Sequence, residues 1–125
     1  MKTADIGKLG EKLAAKFLSK NGYRVVERNR HFSHNELDII ARDSSYIVFV
    51  EVKTRTVDES LYSPFGSPAS AVTKEKQKRT VAAARAYLAK HSCLGLQPRF
   101  DVVEVYLAQD YRLLHINHIT NAFWA

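Results

Sequence analysis

A single cysteine, Cys93, stands in the 125 residues, which excludes an internal disulfide and any thiolate zinc cluster built within one chain. No obvious base neighbours it in sequence, so Cys93 reads as packing rather than as a nucleophile. No apolar run approaches the roughly 20 residues needed to span a bilayer, and the opening Met1-Lys2-Thr3-Ala4-Asp5 lacks the apolar core of a signal peptide. The chain is therefore expected to be soluble and cytoplasmic, with no membrane partner. Internal repeats, low-complexity tracts and a glycine-rich phosphate loop of the Walker type are missing as well.

What the chain does have is enough apolar content, 46%, to fill one core, and its length leaves no room for a second domain. Nineteen Lys and Arg against thirteen Asp and Glu give a formal charge of +6 and a pI near 9.6. That balance favours a polyanionic partner, nucleic acid foremost, through counterion release. An acidic protein or a membrane surface could use the same charge.

Two strand-like segments are apolar on alternating faces yet carry charge. In Ile47-Val48-Phe49-Val50-Glu51-Val52-Lys53 the period of two places Glu51 and Lys53 on the face of Ile47 and Phe49. In Glu36-Leu37-Asp38-Ile39-Ile40, Glu36 and Asp38 share a face, and Arg42-Asp43-Ser44-Ser45 would fold this segment back as a hairpin partner. Asp38 is then expected beside Glu51. Two carboxylates held together in a partly buried place repel, and a divalent cation taking oxygen ligands from both relieves them. A Mg²⁺ or Mn²⁺ site is the expectation, with Lys53 beside it to stabilise a phosphoryl transition state. An ordinary Glu51–Lys53 ion pair, with Asp38 as a turn residue, is the structural alternative.

Around this centre, Ile6, Leu9, Leu13, Ala14, Phe17 and Leu18 recur at helical spacing, and Asn21-Gly22 closes that helix. Glu11 falls at the border of its apolar stripe. Tyr23 to Arg30 reads as a first strand, which would open a three-stranded meander, and Thr56 to Ser67 reads as a loop near the acidic pair. A second helix opens with Lys74, Lys76, Lys78 and Arg79, with Thr73 as its N-cap and Val81, Ala84 and Leu88 facing the core. Basic residues oppose the macrodipole at a helix start, so a phosphate backbone is the expected partner of this run. Phe100 to Leu107 and Arg112 to Ile116 read as two more strands joined by a turn at Gln109-Asp110. His115 and His118 are three apart on a strand, which points them to opposite faces and argues against zinc. Phe123 and Trp124 either pack on the sheet or form an association surface.

Glu36-Leu37-Asp38 followed by Phe49-Val50-Glu51-Val52-Lys53-Thr54-Arg55 resembles the PD-(D/E)xK nuclease signature. Together with Gly7-Lys8-Leu9-Gly10-Glu11, Gly22-Tyr23, Ala71-Val72, Lys76-Gln77 and Phe100-Asp101-Val102-Val103, nearly the whole chain resembles the YraN-like family of small bacterial proteins. The resemblance implies a restriction-endonuclease-like α/β fold, similar to Holliday-junction resolvases, with a mixed sheet of about five strands flanked by helices. It implies Asp38, Glu51 and Glu11 as metal-binding carboxylates and Lys53 as the catalytic lysine. Lys76 and Gln77 become candidates for nucleic-acid contact, joined on charge by Lys74, Lys78, Arg79 and Arg55. Asp101 reads as a structural anchor. Where the family has glycine before Glu-Leu-Asp this chain has Asn35, a residue that still tolerates a left-handed turn.

The function expected is metal-dependent endonucleolytic cleavage of DNA, branched or structured DNA by analogy, with RNA left open as substrate and a homodimer suited to two-fold symmetric junctions. The alternatives are an inactive nucleic-acid-binding adaptor on a nuclease fold, and a protein-interaction module with a basic face.

Overall fold

The computed structural model describes residues 2–32, 35–62, 72–93 and 95–124. Helix α1 (Thr3–Lys20) leads into strands β1 (Arg24–Phe32), β2 (Asn35–Arg42) and β3 (Tyr46–Thr56), then helix α2 (Lys74–Lys90) and strands β4 (Gln97–Leu107) and β5 (Leu113–Phe123). The five strands form one mixed sheet in sequence order. The β1–β2–β3 meander and the β4–β5 hairpin are antiparallel, while β3 and β4 run parallel, with α2 as the crossover that a parallel pair requires.

Each face of the sheet has its own core. Ile39, Ala41, Val48, Val50, Val103, Val105 and Leu107 pack beneath Ala14, Ala15 and Leu18 of α1. On the other face Ile40, Ile47, Phe49, Phe100 and Val102 meet Ala83, Ala84 and Tyr87 of α2. The alternation within β3 is the one its sequence dictates, with Glu51 on the side of α2.

Both helices end as their sequences suggest. Asn21 donates from its backbone to Phe17 and Leu18, and Gly22 takes φ +92° so that Tyr23 can reach back to the Leu18 carbonyl. At α2 the Thr73 Oγ1 accepts the Lys76 amide at 3.1 Å.

Strand boundaries differ from the sequence reading mainly in the second half. β5 runs seven residues past Ile116 because Phe123 pairs with Phe100 and stacks on it at 5.2 Å. Residues 63–71, which include much of the expected loop and Ala71, lie outside the described residues. Its described start is anchored: the Val57 amide donates to Leu107, and the Tyr62 ring lies 5.2 Å from that of Tyr106.

Gly10 sets how closely α1 approaches the sheet. A Cβ at this position would overlap the Thr54 side chain, with Thr54 Cβ and Cγ2 only 2.7 Å away, whereas Gly7 one turn earlier faces open space. Gly10→Ala is expected to destabilise the fold by about 1–3 kcal/mol through overpacking. Gly7→Ala should stabilise it by up to about 1 kcal/mol from helix propensity. Urea unfolding of the two variants decides this; equal effects would mean that the helix can slide away freely.

Candidate active site

The β2–β3 ladder runs from Arg42↔Ile47 to Ile39↔Val50. Beyond it the Asp38 carboxylate takes over the acceptor role, receiving the Val52 amide at 2.9 Å. β2 is irregular here, since Leu37 faces the α2 core while Ile39, two residues on, faces the α1 core. The β1 ladder, in which Arg28 faces Ile39 and Arg30 faces Leu37, sets Asn29 opposite Asp38, with a left-handed φ of 51°. That distortion, and not Asn35, is where asparagine uses its tolerance; Asn35 begins β2 as an extended ladder residue opposite Phe32.

The expected meeting of Asp38 and Glu51 is present: the two carboxyls lie close enough that each acts on the ionisation of the other. Burial pushes the Glu51 carboxyl up, the neighbouring Asp38 charge pushes it further, and Lys76 and Lys53 only partly oppose them, leaving it at about 7. Asp38 is also raised, by burial and by Glu36, against the Val52 hydrogen bond and the Lys76 charge. The pair therefore holds one proton near neutrality, carried mainly by Glu51.

Glu11 is more buried than a border position on α1 would give, at 7% exposure. Burial and the Asp38 charge raise its carboxyl, opposed by Arg28. Arg28 Nε lies 3.4 Å from Glu11 Oε1, close enough for an ion pair but without hydrogen-bond geometry, so this buried oxygen has a charge neighbour and no donor. A cleft of about 660 Å³ opens between the start of α1 and the parting strands, lined by Glu11, Asn29, Glu36, Asp38, Val52 and Thr54.

This donor set fits a hard divalent cation. All its atoms are carboxylate oxygens, the pair shares a proton that a cation would displace, and one buried oxygen lacks a donor. Among the described residues, no three His, Cys, Asp or Glu side chains converge into a ready cage. A cation held by Asp38 and Glu51 would complete its shell from water and substrate, as Mg²⁺ commonly does.

Lys53 lies on the Glu51 face, and its charge acts on the Glu51 carboxyl. Its register partner on β4 is Glu104, a fully buried carboxylate that accepts from Asn117 Nδ2 at 2.9 Å and from the Tyr106 hydroxyl. Glu104 was not among the residues singled out from sequence. The signal was available, because Val103-Glu104-Val105 places a charge inside an apolar strand just as Val50-Glu51-Val52 does.

The basic residues divide. Lys76 Nζ sits 3.6 Å from Glu51 Oε1, so its place at a helix start is explained within the site itself. The Gln77 amide donates to the Val72 carbonyl at 2.9 Å. Lys74 and Lys78 remain exposed along one side of α2, Arg79 is exposed but does not line that side, and Arg55 lies at the exposed end of β3.

Asp101 is the anchor its position suggested. Fully buried, it receives Arg99 Nε at 2.9 Å and Nη2 at 2.8 Å, the Asn121 amide at 2.9 Å, and His118 Nε2 at 2.7 Å. Arg99 also lies over the Tyr46 ring at 4.6 Å and donates to the Tyr23 hydroxyl. His115 faces the other way, stacked against Tyr106 at 6.3 Å, so the two histidines do not converge.

The family described as "Uncharacterised protein family UPF0102" matches residues 10–105. Curated proteins similar over nearly the full length bear the same family name. A UPF0102 protein of Caldanaerobacter subterraneus subsp. tengcongensis is 45% identical over 119 residues, covering 94% of this chain and 93% of that protein. One of Symbiobacterium thermophilum is 46% identical over 123 residues, with 96% and 97% covered. Another, of Caldicellulosiruptor saccharolyticus, is 42% identical, with 98% and 100% covered. No helix among the described residues is long and apolar enough to cross a membrane.

Proposed function

The chain belongs to the UPF0102 family, and for it we propose metal-dependent hydrolysis of phosphodiester bonds in DNA at the Asp38–Glu51 pair. The observation that carries this reading is the meeting of two half-buried carboxylates, Asp38 and Glu51, where β2 parts from β3, with Lys53 on the face of Glu51 and Lys76 Nζ 3.6 Å from its Oε1. Such a constellation of perturbed groups is unfavourable for folding alone and suits a site that exchanges protons for a cation. The restriction-endonuclease-like architecture, compatible with this five-stranded sheet and two helices, supports branched or structured DNA as substrate only by analogy.

Asp38 and Glu51 would hold Mg²⁺ or Mn²⁺, with Glu11 and Glu36 adding negative potential from the cleft. When bound, the cation supplies Lewis-acid polarisation of the phosphate and a more acidic water. The Lys53 ammonium, on the face of Glu51, would stabilise the charge that gathers as a water oxygen bonds to phosphorus and loses its proton to solvent, while the ester P–O bond breaks and the leaving oxygen takes up a proton from solvent. Lys76 holds Glu51 in place, and Glu104 is a positioning residue at the strand position beside Lys53.

The test is cleavage of labelled single-stranded, duplex, flapped and four-way-junction DNA with Mg²⁺ or Mn²⁺. Wild type should cut only with metal, and Lys53→Ala should cut about 10²–10³-fold more slowly at unchanged DNA affinity. An adaptor that binds DNA without cutting is favoured by a different observation. Arg28 at 3.4 Å from Glu11 and Lys76 at 3.6 Å from Glu51 already compensate these acids internally. Binding without turnover on every substrate would establish the adaptor and end the nuclease reading.

A further inference from the structure

Trp124 is 76% exposed at the end of β5, although its neighbour Phe123 is buried. It walls one side of a groove of about 440 Å³ whose other side is α2, through Lys74, Gln77, Lys78, Val81, Ala82 and Arg85. Lys74, Lys78 and Arg85 share this side of the helix, and none has an acidic partner among the described residues. Lys74 to Arg85 covers about 16 Å at ~1.5 Å per residue, against roughly 34 Å for one duplex turn.

We propose that this groove binds an unpaired DNA strand, with one base stacked on Trp124 and the flanking phosphates held by Lys74, Lys78 and Arg85. The chemistry is complementary on both counts. A free indole face offers what a base plane lacks when it leaves its stack, and unpaired cations along a groove track a sugar-phosphate backbone. Paired bases present only their edges along a duplex, so a lone tryptophan favours a strand that has come apart. An acidic peptide would satisfy the cations but leave the indole without a planar partner.

The groove starts at the N-terminal turns of α2, level along the helix with the Lys76–Glu51 contact, although Lys76 projects from the other side of α2 from Lys74 and Lys78. A strand leaving the groove at this end would pass round the start of α2 to reach the acidic pair. In this respect the inference deepens the nuclease reading and rests on it for direction: the preferred substrate would carry a single-stranded overhang or flap. Binding itself needs neither metal nor turnover, so the two readings fail separately.

Trp124 is the only tryptophan in the sequence; it also borders the cleft lined by Tyr46, Arg99 and Asn121, so the Lys78 and Arg85 variants assign a fluorescence change to the α2 groove. The experiment is titration of the full chain in EDTA with oligo-dT, blunt duplex, oligo-rU and polyglutamate, at low and moderate salt. Oligo-dT is expected to quench the fluorescence and saturate, more tightly than duplex. Anisotropy with labelled oligo-dT should show Trp124→Ala about tenfold weaker, Trp124→Phe largely restored, and Lys78→Ala and Arg85→Ala weaker with a shallower salt dependence. Unchanged fluorescence at saturating oligo-dT would overturn the proposal, as would equal affinity of Trp124→Ala. Preference for polyglutamate would replace it with a protein partner, and tighter quenching by oligo-rU would overturn the choice of DNA. Loss of cutting in the metal assay, with quenching intact, would remove the nuclease reading and leave the strand groove standing.

Discussion

Glu51→Gln is expected to stabilise the metal-free protein at pH 8 while removing cleavage. The folded pair keeps a proton at pH values where the unfolded chain has released it, since the Glu51 carboxyl rises from 4.5 to about 7 on folding. Between these values the folded state binds more protons than the unfolded, so stability falls as pH rises through this window, and the full penalty is present above it. A shift of this size corresponds to at most about 3 kcal/mol. Glutamine reproduces the protonated acid in shape and in donating to Asp38, and it cannot ionise. The variant should therefore gain about 2 kcal/mol at pH 8, several degrees in Tm, and little at pH 4.5. Its Mg²⁺ or Mn²⁺ affinity should drop, with cleavage at least about 10³-fold slower. Thermal unfolding at several pH values checks the first part, and a wild-type stability that does not fall between pH 5 and 7 would refute the shared proton. In wild type, metal affinity should rise across the same window as the cation displaces that proton.

Asp101→Asn should have the largest effect on stability, a loss of about 3–5 kcal/mol. Burial alone would raise the Asp101 carboxyl, but His118, Arg99 and the Asn121 amide outweigh it and hold the group below its ordinary value. The carboxylate therefore stabilises the fold above the usual aspartate range, and that contribution is lost as pH falls through the depressed value. Asparagine keeps the shape but leaves Arg99, itself largely buried, without a carboxylate in contact, the Asp43 charge acting on it only from beyond ion-pair distance. Denaturant unfolding at pH 7 measures the difference; a loss under about 1 kcal/mol would mean that Arg99 finds water or the Tyr23 hydroxyl sufficient. Asp101 is the register partner of Val50, next to Glu51, but it faces the α1 side of the sheet whereas Glu51 faces α2, so this variant should retain metal affinity while folded.

The elements were legible where one face of a segment repeats. α1, the meander and the start of α2 follow directly from the spacing of Leu9, Leu13 and Leu18, from Ile47 to Lys53, and from Thr73 before a helical run. The second half of β5 was not, because Asn117, His118, Thr120 and Asn121 lack the composition of a strand. For two of them the cause is tertiary: Asn117 answers Glu104 on one face and His118 answers Asp101 on the other; Asn121 gives Asp101 only its backbone N–H and takes a left-handed φ of 54°, which asparagine tolerates. A pattern that serves another strand's buried acids cannot be read within its own segment. In the site, Asp38 beside Glu51 followed from the hairpin. The Lys76 contact and the burial of Glu11 did not, since they depend on where α2 and α1 dock. Lys76 read as a phosphate contact because charge at a helix start carries no information about a partner 25 positions away in sequence.

The parallel junction between β3 and β4 has a consequence for how the chain folds. The meander closes through short connections, but β4 reaches β3 only after the whole of α2 has been laid down, a late and entropically demanding step. Until then β3 is an open edge with an Ile-Val-Phe-Val core, the kind of strand that recruits other chains. Glu51 and Lys53 sit on that edge just beyond the apolar run. The charges proposed to work on phosphate thus stand where gatekeeper residues belong, flanking the apolar run that the β4 seam covers.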